Sequence, residues 1–219
     1  FHGRPLVLTD EKEKVPAILN TWFAGSEAGY AIADVLFGNE NPSGKLTTTF
    51  PRSVGQVPIY YAHKNTGRPL GNKEGKFEKF RSNYIDERNE PLYPFGYGLS
   101  YSTFNYSKIK LSSNTLKTNE TLKASVEITN TGNYDSKEVV QLYIRDLVGS
   151  VTRPVKELKG FQKINLTKGQ KQTVTFEITE EDLKFYNSEL EFIAEPGTFH
   201  VFIGTNSDVT EYKPFELVK

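Results

Sequence analysis

The residues with the richest chemistry fall in one stretch, Lys76-Phe77-Glu78-Lys79-Phe80-Arg81-Ser82-Asn83-Tyr84-Ile85-Asp86. It interleaves aromatic rings, amides and charged groups. Rings stack on the apolar faces of sugars, while amides and charges hydrogen-bond to their hydroxyl groups. Arg81, Tyr84 and Asp86 are therefore candidate ligand contacts at the rim of a site. The competing expectation is a loop that only packs neighbouring parts of the chain together. Arg4 follows a glycine at an expected strand start. Its guanidinium would either orient a carboxylate or close a structural ion pair. Glu27 stands at the start of an expected helix, where negative charge offsets the macrodipole, so capping outranks ligand contact there.

Other chemistries are excluded. His2, His63 and His200 lie far apart with no ligand spacing. There is no cysteine, so disulfides, zinc–thiolate sites and cysteine nucleophiles are absent. Gly44-Lys45 is followed by leucine and lacks phosphate-loop spacing. No serine sits in a nucleophile elbow. Asn105, Asn119 and Asn165 each open an Asn-x-Ser/Thr triplet, which matters only in a glycosylating host. Lysine plus arginine equals aspartate plus glutamate at 27 each, so no net field attracts nucleic acid or an anionic membrane. No apolar run is long enough to span a bilayer. Hydrophobic residues make up 37%, enough for real cores. The chain opens on Phe1 and contains no methionine, which is expected of a processed product, a cloned domain or a fragment.

The elements that must carry these residues fall into stretches of different texture. Residues 1–50 read as the end of an α/β domain. Pro5 to Thr9 has the pattern of a buried parallel strand, and Ala17-Ile18-Leu19 is a second apolar run. Ser26 is the expected N-cap of a helix from Glu27 to Phe37. Ala28, Ala31, Ile32, Val35 and Leu36 form its apolar stripe, and Gly38 its C-cap. Asn41-Pro42-Ser43-Gly44 is a turn, and Lys45 to Phe50, with three threonines, predicts an extended strand. Residues 51–103 are an irregular connection punctuated by Pro51, Pro58, Pro69, Pro91 and Pro94. Its many tyrosines and phenylalanines predict packing against a neighbour.

Residues 104–219 alternate with period two. Leu122, Ala124, Val126 and Ile128 share one face. So do Val140, Leu142 and Ile144, then Val174, Phe176 and Ile178, then Phe199, Val201 and Ile203. Turn residues separate them at 130–133, 168–169 and 195–197. One helical turn is expected near Glu180 to Tyr186, capped by Thr179 with Asp182 three residues on. About seven strands predict an antiparallel β-sandwich. The lack of a Cys–Trp–Cys pattern favours the fibronectin type III form. The fold class is thus α/β plus all-β, the C-terminal part of an α/β sandwich domain followed by a fibronectin type III-like sandwich. The first half is expected to be unstable alone and 104–219 to fold independently.

Several motifs stand in a telling order: Gly3-Arg4-Pro5-Leu6, Trp22-Phe23-Ala24-Gly25-Ser26-Glu27-Ala28-Gly29, Asn41-Pro42-Ser43-Gly44-Lys45-Leu46, Thr49-Phe50-Pro51-Arg52-Ser53, Pro58-Ile59-Tyr60-Tyr61, Pro91-Leu92-Tyr93-Pro94-Phe95-Gly96-Tyr97-Gly98-Leu99-Ser100-Tyr101 and Arg153-Pro154-Val155-Lys156-Glu157-Leu158-Lys159-Gly160-Phe161. In this order the chain resembles the second half of bacterial family-three β-glucosidases, with His2 where that family more often has asparagine. The resemblance implies a barrel, then an α/β sandwich domain, then a fibronectin-type domain. This chain matches the end of the second, a connection and the third.

The resemblance also implies a retaining two-carboxylate mechanism on β-glucosides or small oligosaccharides. Its nucleophilic aspartate lies on the barrel and its acid/base glutamate lies ahead of the strand that opens this chain. No catalytic residue is therefore assigned here. No metal or cofactor is implied. The implied partners are the upstream barrel and α/β segment and a homodimer mate, with no nucleic acid and no membrane, in the periplasm or outside the cell. Two other roles remain open. One is a structural or dimerisation module. The other is a carbohydrate-binding module, which would need a flat exposed aromatic strip. Tyr143, Phe176, Phe192 and Phe199 mostly fall at core positions instead.

Overall fold

The computed structural model describes residues 2–69 and 77–218. Lys76 of the aromatic loop lies outside them. Eleven strands occur among the described residues, more than the seven expected, because several are fragments of two or three residues.

The sandwich is built where the alternation is strongest. Strands β1 (Phe104–Tyr106) and β2 (Lys110–Leu111) both pair with β4 (Leu122–Asn130), which also pairs along its length with β7 (Lys171–Ile178). The second sheet runs β3 (Thr115–Lys117), β11 (Tyr212–Val218), β10 (Gly197–Gly204), β5 (Ser136–Asp146), β6 (Glu157–Leu166). Only the β3–β11 pair in it is parallel. The predicted stripes on β4, β5, β7 and β10 are all buried and join in one core with Leu116, Leu166, Phe215 and Leu217. Alternation decides this because a strand buries every second side chain against the facing sheet.

Between β7 and β10 lie the helical turn α3 (Glu180–Leu183) and a small hairpin, β8 (Phe185–Tyr186) with β9 (Phe192–Ile193). The Thr179 N–H donates to the Asp182 carboxylate at 2.8 Å and the Thr179 side chain accepts from the Asp182 backbone, so the expected Thr179 cap forms as a capping box. Phe192 departs from expectation. It is 46% exposed, because β9 pairs only with β8 and lies outside both sheets of the sandwich.

The first half has less core of its own. Helices α1 (Thr9–Lys14) and α2 (Ala28–Phe37) bury no residue. Gly38 ends α2 in the left-handed region at φ +80°, as its position predicts. Ser26 does not cap α2. The N-cap position falls one residue later, on Glu27, and no side chain caps the helix. The strand expected at Pro5–Thr9 is absent. Residues 5–8 carry no strand, and Thr9 already begins α1. A parallel strand exists only beside a neighbour, and none lies beside this run among the described residues.

Lys45–Phe50 likewise forms an interrupted ladder rather than a strand. The Leu46 N–H donates to the Tyr97 carbonyl and the Gly96 N–H to the Leu46 carbonyl, at 2.8 and 2.7 Å. Phe50 N–H donates to the Tyr93 carbonyl and Leu92 N–H to the Phe50 carbonyl, both at 2.9 Å. The Phe50–Tyr93 bridge is isolated, so the pairing closes the two ends of the connection without becoming a sheet.

The connection packs on the sandwich, as its aromatic content predicts. Lys45 and Glu138 pair at 3.1 Å with 12% and 3% of their side chains exposed, and the Tyr106 hydroxyl donates to the same carboxylate. Burial beside that carboxylate pushes the Tyr106 hydroxyl far up. Asn130 is fully buried and fully engaged. It accepts from the Ser102 hydroxyl and the Gly132 N–H, and donates to the carbonyls of Tyr134 and Leu166. On the outer face of β5, the Gln141 amide donates to the carbonyls of Gly96 and Thr205, and its oxygen accepts from the Tyr143 hydroxyl.

Candidate functional site

The irregular connection folds back on β5 and β6 to enclose an open depression of about 720 Å³. Tyr60, Tyr61, Asn83, Tyr84, Lys156 and Asp208 all line it. Each wall has a local cause. Tyr61 stacks on Phe95 at 4.5 Å, meets Tyr143 edge-on at 5.9 Å, and its hydroxyl accepts from the Leu158 N–H at 3.2 Å. The Val155 N–H donates to the His63 carbonyl at 2.9 Å, which fixes the start of the connection to the entry of β6.

The 77–90 loop is shaped by its amides. Asn83 accepts from the Glu78 N–H and donates to the carbonyls of Glu78 and Arg81. Asn89 accepts from the Tyr84 N–H and donates to the Ser82 carbonyl. Asparagine suits both positions because its short amide replaces backbone partners in a turn. A bridge between Pro69 and Ser82 closes the base of the loop.

Lys156 forms the floor. Its ammonium donates to the carbonyls of Ser207 and Val209, at 2.9 and 2.5 Å, and lies 4.3 Å from the Phe202 ring centre. Burial pushes its pKa down to about 8, with Asp208 opposing and Arg145 adding to the shift. Burial, with Tyr61 close by, pushes the Tyr143 hydroxyl well up. Both groups therefore stay in their ordinary protonation states near neutrality. The depression offers two partly exposed rings, Tyr60 at 65% and Tyr84 at 36% exposure, beside amides and a cation. Rings, amides and charged groups in one depression, Glu90 and Asp208 included, can stack on and hydrogen-bond to a polyhydroxylated ligand.

Of the four residues singled out from sequence, Tyr84 alone lines the depression. Arg81 is next to it. Its guanidinium pairs with Glu78 at 3.5 Å and reaches the Pro69 carbonyl. Asp86 is exposed and outside the lining. Arg4 is exposed in the first half, where its carbonyl lies 2.6 Å from Nδ1 of His2. Tyr60, Tyr61, Lys156 and Asp208 were not singled out as site residues. Tyr60-Tyr61 and Lys156 do stand in the quoted motifs, but only the fold-back of 58–64 onto β6 brings them together.

A second group of carboxylates is structural. Arg153 lies 3.3 Å from Asp146 and 2.9 Å from Glu157, with its guanidinium 4.1 Å from the Phe185 ring centre. The Asp146 contact lacks hydrogen-bond direction. Burial outweighs the opposing Arg153 and pushes the Asp146 carboxyl up. The guanidinium joins the two acids, so this cluster serves packing. Among the described residues no group of histidines and acids is arranged to hold a metal ion, and no helix is long and apolar enough to cross a membrane.

Residues 1–101 match the model of the glycosyl hydrolase family 3 C-terminal domain, and residues 138–207 match that of a fibronectin type III-like domain. The chain belongs to glycosyl hydrolase family 3. Its place within family 3 proteins is partial. It is 55% identical to a periplasmic beta-glucosidase of Salmonella typhimurium, over all of this chain but 28% of that protein. A beta-xylosidase of Formosa agariphila is 43% identical over 99% of this chain and 29% of its own length. The crystal structure of a Listeria innocua beta-glucosidase in complex with glucose superposes with a TM-score of 0.91 at 46% identity, covering 99% of this chain and 30% of that one. The family 3 chain thus spans less than a third of the length of these relatives. The α/β-plus-sandwich fold expected from sequence is the fold observed.

Proposed function

We propose that this chain is the C-terminal portion of a retaining glycoside hydrolase that releases terminal non-reducing β-D-glucose from β-glucosides or small oligosaccharides. The observation that carries the proposal is 55% identity along the whole chain to a beta-glucosidase, together with this chain's match to the glycosyl hydrolase family 3 C-terminal domain. Retaining chemistry needs two carboxyl groups about 5–5.5 Å apart. The buried acids among the described residues are committed elsewhere, Glu138 to Lys45 and Asp146, with the partly exposed Glu157, to Arg153. In this reading the catalytic pair lies upstream. Beta-xylosidase relatives at 43% identity support placing sugar selection upstream as well.

In this reading residues 1–50 complete the α/β domain, 51–103 connect, and 104–219 form the sandwich. The connection reaches the rim of an active site, its own or that of a homodimer mate. Tyr84 and Arg81 hold the distal part of the substrate there, with Asp86 beside them, and Arg4 orients an upstream carboxylate. The enzyme works in the periplasm or outside the cell, as the Salmonella relative's name suggests for that protein. The sandwich itself is a buttress: the Lys45–Glu138 pair and the Gln141 bonds fix the connection to it. Sugar binding by the sandwich alone would need a continuous flat aromatic strip, whereas its exposed rings Phe161 on β6 and Tyr212 on β11 have two strands between them and the hairpin pair Tyr186–Phe192 is tilted by 42°.

The test is hydrolysis of a chromogenic β-glucoside by this chain alone and mixed with the upstream segment. The expected result is no turnover alone and turnover on mixing. Robust turnover by the chain alone would locate the catalytic pair within these residues and overturn the proposal.

A further inference from the structure

The hairpin of β8 and β9 has a property the function above does not use. Leu190 at its tip sits at φ +63° and is 79% exposed. A branched side chain in the left-handed region is strained, and glycine or asparagine would relieve it. Leaving a leucine in water there adds a second penalty. The described residues leave that side chain largely uncovered. The tip is nevertheless held firmly. Asn187 accepts from the N–H groups of Glu189 and Glu191, and the Leu190 N–H donates to the Asn187 carbonyl. Tyr186 and Phe192, 65% and 46% exposed, flank the tip with ring centres 5.0 Å apart. The result is a rigid apolar knob, and strain of this kind concentrates where a partner is engaged.

Charge narrows the partner. Residues 180–195 carry Glu180, Glu181, Asp182, Glu189, Glu191 and Glu195 against Lys184 alone, in a chain of zero net charge. Two such hairpins facing each other across a two-fold axis would repel, which disfavours self-pairing. Size narrows it further. One leucine and two half-covered rings can bury on the order of 400 Å², whereas a free protein–protein interface needs roughly 1,000 Å² or more. A contact this small persists when the partner is tethered, because a covalent link supplies an effective concentration of about millimolar.

The described residues of the chain's own first half do not cover the knob. The connection comes as near as Lys64, which bridges Pro154 beside Arg153, and Arg153 in turn contacts Phe185 of the hairpin. Leu190 is still 79% exposed.

We propose that the 185–193 hairpin is a docking knob for the upstream part of the same polypeptide, seating Leu190 in an apolar socket rimmed by lysine or arginine. The proposal rests on the reading that this chain belongs to a longer hydrolase, whose relatives are more than three times its length. It is tested in the full-length enzyme with native cysteines replaced, by maleimide labelling of Leu190→Cys and of the exposed control Thr118→Cys. Each rate is taken relative to the same variant in denaturant. The expected result is labelling at position 190 about ten-fold slower than at 118, unchanged by roughly hundred-fold dilution. Equal rates would overturn the proposal. So would protection that fades on dilution, which would identify a second copy as the occupant. The substitution lies on the surface and replaces no packed group, and Leu190→Gly followed by hydrogen exchange over 186–192 gives the same answer without a label: faster exchange in the variant is expected, and unchanged exchange counts against docking. β-Glucoside turnover by the same preparations reports on the hydrolase reading separately.

Discussion

Lys156 has the chain's clearest single-residue consequence. Its amine titrates near 8 in the folded protein against 10.5 when free, because burial disfavours the ammonium. Below pH 8 folding bears the full cost of burying that charge. Between pH 8 and 10.5 the folded amine is neutral while the unfolded one still binds a proton, so stability from this group rises with pH. Urea midpoints measured from pH 7 to 10 should climb relative to those of Lys156→Met. Parallel curves would show that the ammonium carries no such cost. Tyr84 makes a different prediction, on binding. Tyr84→Ala in the full-length enzyme should raise KM about three- to ten-fold for an oligosaccharide while leaving kcat nearly unchanged, the pattern of lost uniform binding. Steady-state kinetics against a monosaccharide aryl glycoside, where KM should move less, checks it. Tyr84 was legible from composition. Lys156 was not singled out, because a lysine among the charges at 153–159 shows its burial only once 205–209 closes over it.

Gly96 sets the fit between the connection and the sandwich. It stands at φ +79°, and a Cβ there would lie 2.1 Å from Oε1 of Gln141. Gln141 cannot swing away, since it bonds Gly96, Thr205 and Tyr143 at once. Gly96→Ala should therefore destabilise by about 2 kcal/mol or more, combining left-handed strain with a lost buried contact. Denaturation of the whole chain, with a Gly169→Ala control at φ +75° and no neighbour within 4 Å, separates the two effects. Elements were legible in proportion to how locally they are paired. The β4 and β5 stripes declared themselves because their partners lie within the chain. Pro5–Thr9 and Lys45–Phe50 read as strands from their side chains, but a strand is a relation between two backbones, and among the described residues no regular neighbour stands beside either run. Ser26 has the hydroxyl of an N-cap, yet the cap position falls on Glu27: the helix start follows the chain's path, and a hydroxyl nearby does not set it.

Across the whole molecule, burial is lopsided. Nearly all buried hydrophobic residues belong to the sandwich, with Phe50 and Leu92 the exceptions. Phe23 at 86%, Phe37 at 83%, Tyr30 at 76% and Leu36 at 64% exposure mark the first half as a surface awaiting cover. Residues 104–218 should unfold cooperatively as an isolated piece, whereas 2–103 alone should lack a cooperative transition and bind a hydrophobic dye. A sharp melt of the first piece alone would contradict this. Sequence pattern conveyed the sandwich almost completely and the depression hardly at all, because the latter gathers residues from the connection, the segment leading into β6 and the loop after β10.

The interrupted ladder around Phe50 and Tyr93 has one more consequence. The backbone leaves at Phe50 and returns beside it at Leu92, so the residues between hang from a closed clasp. Closing a longer loop costs little more than closing a short one. Its near limb is tied to the sandwich through Tyr61 and His63, so the limb around 77–86, held by its own Asn83 amide, is the part freer to diverge. A lineage can retune what it grips there while inheriting its scaffold unaltered.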